Sequence, residues 1–231
     1  MPDDHPTVRA AFQGLSPAEV GTILTGTTTA RLSAGEPLFL QGDPADRFFL
    51  LKEGWLKVTQ VTADGQKLIV RIVHPGEFFG FAPALQRDLY PGTCEAIVDS
   101  EALVWPRRRW QAVLGAAPSV TLSIVQAIGR KLDEAHDRLR EMTTEEAARR
   151  VARLVLRLRA KAGDDALDTE GGIELPYPLT RQDIADMSGN TLHTVSRIMA
   201  AWEGQGVLGR GRRKVVIADL AALQEIAGEE D

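Results

Sequence analysis

The chain has 231 residues, 44% of them hydrophobic and 26% charged, which supplies a real core and excludes wholesale disorder. Its single cysteine, Cys94, excludes an intramolecular disulfide framework and a four-cysteine zinc or iron–sulfur site. A net charge of −5 gives no general attraction for nucleic acid, yet residues 190–217 hold Arg197, Arg210, Arg212, Arg213 and Lys214 against Glu203 alone. Such a local basic patch is compatible with DNA binding on an acidic chain.

The opening stretch, MPDDHPTVRAAF, lacks the basic and apolar segments of a secretion signal, so a reducing cytoplasm is expected. The first half then reads as β. Short apolar runs are punctuated by Gly35, Gly42, Gly54, Gly65 and Gly76. Asp64-Gly65, between WLKVTQVT and KLIVRIV, is a hairpin signal, because a tight turn needs positive φ. Within Lys67–Val73 the residues Leu68, Val70 and Ile72 share one face. Many short strands at this spacing predict a small barrel or jelly roll.

Trp110 to Gly129 carries no charge over 20 residues, the length of a bilayer span. Pro118 and several polar residues divide it, so it reads as the start of a buried helix, with no membrane partner. A helical period follows: Val125, Ile128, Leu132, Ala135, Leu139 and Met142 are spaced alternately by three and four. Charged residues fill the positions between. This narrow stripe predicts a coiled-coil seam, with Val125, Ile128, Leu132, Ala135 and Leu139 as the dimer interface and a second copy as partner. The alternative is packing on the chain's own core. A break is expected at Met142-Thr143-Thr144, with Thr143 and Glu146 as a capping box for the next helix, and Ala162–Pro178 reads as a loop.

The strongest local signal is LTRQDIADMSGNTLHTVSRIMAAWEGQGVLGRGRRKVVIAD. Thr180 caps a short helix, Gly189 suits a turn, and a second helix starts near Thr191. Ala185, Gly189 and Val195 place a small residue at the helix crossing, a glycine in the turn and a branched residue in the shared core. Those are the steric demands of a helix-turn-helix. Arg197 can donate two hydrogen bonds to a guanine edge, while Thr191, His193, Thr194 and Ser196 lie along the same helix. VLGRGRRKVVI reads as a two-stranded wing whose turn is permitted by Gly209 and Gly211 and whose Arg210, Arg212, Arg213 and Lys214 face the DNA backbone.

The chain as a whole resembles the cyclic-AMP receptor protein/fumarate–nitrate regulator (CRP/FNR) family of bacterial transcription regulators over roughly residues 15–220. The resemblance rests on GEPLFLQGDPADRFFLLKEGWLKV, on HPGEFFGF and on RQDIADMSGNTLHTVSRIM. It implies an α+β fold: a β-roll of the cyclic-nucleotide-binding kind over 1–117, a dimerisation helix over 118–142 and a winged helix-turn-helix over 143–231. It implies no catalytic activity. The implied partners are a second copy, a palindromic double-stranded promoter site and RNA polymerase, with DNA contacts that include Thr180, Arg181 and Gln182. His193 stands where many members carry Glu.

The resemblance also places an effector pocket between the roll and the long helix, near Phe79, Gly80, Phe81, Tyr90, Pro91, Thr93 and Cys94. The departures matter here. Cyclic-AMP-binding members carry a Gly-Glu pair and a later Arg beside Ser or Thr; this chain has Gly80-Phe81 and no arginine near Thr93. A buried phosphate needs a charge-assisted partner, so cyclic AMP is not the expected effector. The strings FFGF, YPGT and TLHTVSR resemble a nitric oxide-responsive branch, in which haem would need His5, His74, His136 or His193. Activity without any ligand is a further alternative. A metal-dependent β-roll enzyme would need a cluster of ligands, and the β-half offers only His74.

Overall fold

The computed structural model describes residues 5–82, 87–116, 118–211 and 213–228. The chain divides into two compact units, residues 1–66 with 70–134 and residues 135–231 with 67–69, so that the main division falls inside the long helix.

The first unit begins with helices α1 (Pro6–Ala11) and α2 (Pro17–Leu24). Ser16 starts α2 with a reciprocal capping box to Glu19, and Pro17 supplies a first residue whose missing N–H has no partner to lose. Eight strands follow: β1 (Thr28–Leu32), β2 (Pro37–Phe39), β3 (Arg47–Glu53), β4 (Leu56–Val61), β5 (Lys67–Val73), β6 (Phe78–Phe79), β7 (Thr93–Ala96) and β8 (Ser100–Pro106). They form two antiparallel sheets ordered β1-β8-β3-β6 and β2-β7-β4-β5, the expected roll.

Strands β3 and β8 are buried on both faces, which explains the apolar runs FFLL and ALVW at their centres. Phe49 and Leu51 of β3, with Ala102 and Val104 of β8, face the interior of the roll. Phe48, Leu50, Leu103 and Trp105 point the other way, onto Val8, Phe12, Ile23 and Leu24 of the two N-terminal helices. Strand pairing aligns Phe48 with Trp105 and Phe49 with Val104, so each core receives matched rows. Trp105 Nε1 also donates to the Ile23 carbonyl at 2.7 Å. Each such buried side chain contributes about 1.5–3 kcal/mol relative to exposure.

Helix α3 (Trp110–Ala116) and helix α4 (Pro118–Thr144) replace the single uncharged run, with Pro118 as the first residue of the second. Along α4, Val125, Leu132 and Leu139 are 58%, 57% and 62% exposed, and Ala135 and Met142 are exposed as well. Ile128 differs from its neighbours on the stripe: it is half-buried and packs on the Phe48–Trp105 cluster.

Helix α4 continues through Met142-Thr143-Thr144, because the Thr143 hydroxyl donates back to the Leu139 and Arg140 carbonyls. Helix α5 (Ala147–Ala162) is instead preceded by Glu146, with no side-chain cap. Within the expected loop, β9 (Leu167–Thr169) and β10 (Gly172–Glu174) form a hairpin. On the Leu68-Val70-Ile72 face of β5, Leu68 and Val70 are exposed and Ile72 is buried, while Val73 joins the roll's interior core.

The second unit continues with α6 (Arg181–Ser188), α7 (Leu192–Gln205), β11 (Leu208–Gly209), β12 (Val216–Ile217) and α8 (Leu220–Ala227). Its sheet runs β11-β12-β10-β9, so the wing is four-stranded rather than two-stranded. Ile173 and Glu174 of β10 pair with Ile217 and Val216 of β12. Helix α5 buries Val151, Leu154, Val155 and Leu158 as the spine of this unit.

Cys94 lies fully buried on β7, and burial pushes its thiol up to about 12. The thiolate is the reactive form. The native protein at pH 8 should therefore resist a thiol-specific colorimetric reagent and react with one equivalent only when unfolded. Rapid labelling of folded protein would contradict this burial.

Candidate nucleic-acid interface

Helix α6 is set by local chemistry. The Thr180 hydroxyl accepts from the Asp183 amide at 3.0 Å, and the Asp183 carboxylate accepts from the Thr180 amide at 2.7 Å. The helix stops at Gly189, whose left-handed φ of 65° turns the chain toward α7. Ile184 and Ala185 of α6 and Val195 of α7 are completely buried where the helices cross. Thr191 then caps α7, accepting from the Thr194 amide at 3.2 Å. The expected helix-turn-helix is present in each of these features.

Helix α7 buries Val195, Met199 and Trp202 and leaves His193 and Arg197, one turn apart, exposed on the other side. Ser196 is half-buried between these faces. Thr194 is engaged with Thr191, hydroxyl to hydroxyl, at 2.9 Å. Gln182 is exposed on α6 and donates to Asp186. Arg181 is already occupied: it donates to Glu203 at 2.9 Å and to the Ser196 carbonyl at 3.4 Å, tying the start of α6 to α7. Glu203, the one acid in the basic stretch, thus holds a cation in place.

In the wing, Arg210 and Arg213 are exposed; Arg212 lies outside the described residues. Lys214 is drawn aside by Glu174 of β10 at 2.7 Å. The turn's strained residue is Arg213, with φ of 59°, and Gly209 and Gly211 are not in the left-handed region. Those two glycines serve by size, since a side chain at Gly209 would meet Val216 at 3.0 Å and one at Gly211 would meet Lys214 at 2.9 Å. A cleft of about 500 Å³ separates helices from wing, lined by Thr180, Arg181, Leu192, Glu203, Arg213 and Lys214. Leu192, at the first position of α7, is exposed, although its spacing with Val195, Met199 and Trp202 reads as part of the apolar stripe.

The residues expected around an effector are dispersed into packing. Phe79, Tyr90 and Cys94 belong to the roll's interior core, whereas Phe81 lies in the cluster beneath the N-terminal helices. Phe39 stacks on Tyr90 with centroids 3.9 Å apart, and Phe49 stacks on both Phe39 and Phe79. A side chain at Gly80 would meet the Phe49 ring at 2.6 Å. Thr93 accepts from the Gln41 amide, and the Pro91 carbonyl accepts from Gln60. One cation does approach Cys94: Arg71 of β5, which donates to Glu77 at 2.5 Å. It escaped the sequence reading because the pairing depends on the strand's phase.

The four histidines do not converge. His5 contacts Glu53 at 2.6 Å, His74 contacts the Pro75 carbonyl at 3.1 Å, and His136 and His193 are exposed on α4 and α7. Among the described residues, no group of three or more His, Cys, Asp or Glu could hold a metal ion.

The family model described as a cyclic nucleotide-binding domain matches residues 29–116, and that of the Crp-like helix-turn-helix domain matches 149–226. Transcriptional regulator LdrP of Thermus thermophilus is 30% identical over 199 residues, covering 86% of this chain and 96% of its own. The chain belongs to the CRP/FNR family of transcription regulators. The cyclic AMP receptor protein of Thermus thermophilus is similar over 216 residues at 28% identity, covering 94% of this chain and 95% of its own. A solved CRP/FNR-family regulator from the same organism superposes with a TM-score of 0.69 at 27% identity, over 87% of this chain and 98% of that one. Like these CRP/FNR relatives, the chain is a DNA-binding regulator and not an enzyme. Among the described residues, no helix is long and apolar enough to cross a membrane.

Arg197→Ala should cost about 1–3 kcal/mol of specific affinity and relax one G·C position. Arg210→Ala should weaken binding to all sequences alike and reduce the salt slope by about 1. Fluorescence anisotropy across a salt series, on selected and scrambled duplexes, distinguishes the two. Identical profiles for both variants would refute this division of roles.

Proposed function

We propose that this regulator works as a homodimer joined along α4, and that it reads a palindromic promoter site with one α7 in each half-site. The observation that carries the dimer is the exposed stripe of Val125, Leu132, Leu139 and Met142. These are large apolar side chains at heptad positions, bordered by Asp133, His136, Asp137 and Arg140, all exposed. Such a stripe in water favours a partner, and the same stripe on a second copy is self-complementary. Two recognition helices related by a two-fold axis then match half-sites about one helical turn apart. RNA polymerase is the further partner that the family membership supports.

The β-roll, in this reading, responds to a small effector other than a cyclic nucleotide, or holds the active form unaided. Aromatic rings occupy the wall where a ligand would rest, and Arg71 is committed to Glu77. A cyclic phosphate placed there would lose water while facing a carboxylate, a cost of several kcal/mol. Haem-borne nitric oxide sensing would need an available ring nitrogen beside a cavity. The histidines sit against Glu53 and Pro75 or stand exposed on helices, a donor set that does not fit haem in the roll.

Sedimentation equilibrium at micromolar concentration should give a dimer, and Leu132→Asp should give a folded monomer, since the dimer would bury an unpaired carboxylate. A monomeric wild type, or a dimeric variant, would remove the α4 pairing. Titration calorimetry with cyclic AMP and cyclic GMP should show nothing tighter than about millimolar, roughly −4 kcal/mol. Micromolar binding with a matching gain in DNA affinity would restore the cyclic nucleotide as effector.

A further inference from the structure

A polar cluster of the second unit lies where α4, α5 and the turn between α6 and α7 meet. Arg150 of α5 is half-buried at its centre. Its three guanidinium nitrogens go to three different acceptors. Nη1 donates to the Glu145 carbonyl at 2.5 Å, just past the end of α4. Nε donates to the Ser188 carbonyl at 3.3 Å, at the end of α6. Nη2 donates to the Asn190 side-chain carbonyl at 2.6 Å, inside the turn. Asn190 uses its other end on the same turn, donating to Ser188 Oγ at 3.0 Å.

Two helix C-termini, each with unpaired carbonyls and partial negative charge, therefore share one cation. Only a guanidinium presents donors in a rigid planar fork able to satisfy all three at once. The end of α4 is fixed independently. Glu141, almost wholly buried, receives two hydrogen bonds from Arg157 at 2.5 and 3.1 Å, and Glu145 pairs with Arg153 at 2.6 Å. Arg150 thus connects an anchored helix end to the turn that sets the angle between α6 and α7.

We propose that Arg150 is a positioning residue for DNA recognition: it locks the helix-turn-helix to the end of the long helix and so fixes the pose of α7. The proposal rests on DNA reading by α7. Arg150 itself need not touch DNA, and its contribution is geometric rather than a phosphate contact. Loss of the clamp should therefore affect specific binding, which demands one pose, far more than non-specific binding, which follows net charge.

The test uses full-length protein with Arg150→Met, Arg150→Lys, Asn190→Ala and the Arg150→Met/Asn190→Ala pair. Affinity is measured on a selected operator and on a scrambled duplex, with amide hydrogen exchange followed at Asn190, whose N–H donates to Ala185 at 3.1 Å. Arg150→Met and Asn190→Ala should each weaken operator binding tenfold or more while scrambled binding moves less than twofold. The pair should be no worse than the worse single variant, and Arg150→Lys, which keeps the charge but not the fork, should not restore affinity. Exchange at Asn190 should accelerate about tenfold in each variant. Wild-type operator affinity in Arg150→Met, equal losses on both duplexes, multiplying effects, or unchanged exchange would each overturn the clamp. If Arg150→Met fails to fold, Arg150→Lys and Asn190→Ala carry the same comparison. A wild type that cannot tell operator from scrambled DNA would instead sink the α7 reading, while exchange at Asn190 still decides the clamp.

Discussion

Burial fixes a strand's register, because a slip of one residue turns every side chain to the opposite face. Strands β3 and β8 are buried on both faces, with a different cluster packed on each, and the first unit is arranged around them. Their inward residues, led by Phe49 and Val104, close the roll. Their outward residues, led by Phe48 and Trp105, hold α1, α2 and α3 and receive Ile128 from α4. A slip of one residue would exchange the two rows and put Phe48 where Phe49 belongs. The long helix is therefore seated by the same register that builds the roll, which fixes which of its faces remains turned to water.

The second unit adds to its apolar core a division of its charges. The protein as a whole is acidic, so exposed positive charge is local. Acids are used as holders within it. Glu203 retains Arg181, Glu174 retains Lys214, and Glu141 retains Arg157. Arg197 and Arg210 remain exposed. The chain thus distinguishes cations that shape the domain from cations open to an outside ligand, although all are the same residue types in sequence.

That distinction marks the limit of what the sequence makes legible. The helix-turn-helix was readable because its determinants are local: Thr180 meets Asp183 three residues on, and Gly189 lies four residues after Ala185. FFLL is legible as one of the short apolar strand runs because no polar residue interrupts it. The β9–β10 hairpin was not, since its strands are three residues long, exposed or half-exposed, and take their order from β12 far along the chain. Thr143 misled because a threonine hydroxyl serves equally as a cap or as a donor to the preceding turn. Arg181 has the type and place of a DNA contact, but its partner stands 22 residues away.

Met142 occupies two settings at once. It continues the exposed apolar stripe of α4, and its methyl lies 3.0 Å from where a side chain at Gly189 would begin. In genetic terms the position is pleiotropic. A flexible thioether can adapt to either neighbour, whereas a stiff or branched replacement would have to satisfy both. A replacement here should therefore disturb the exposed stripe and the α6–α7 turn together. Compensating second changes should arise at Gly189 or along the α4 stripe rather than on the exposed His193–Arg197 side of α7.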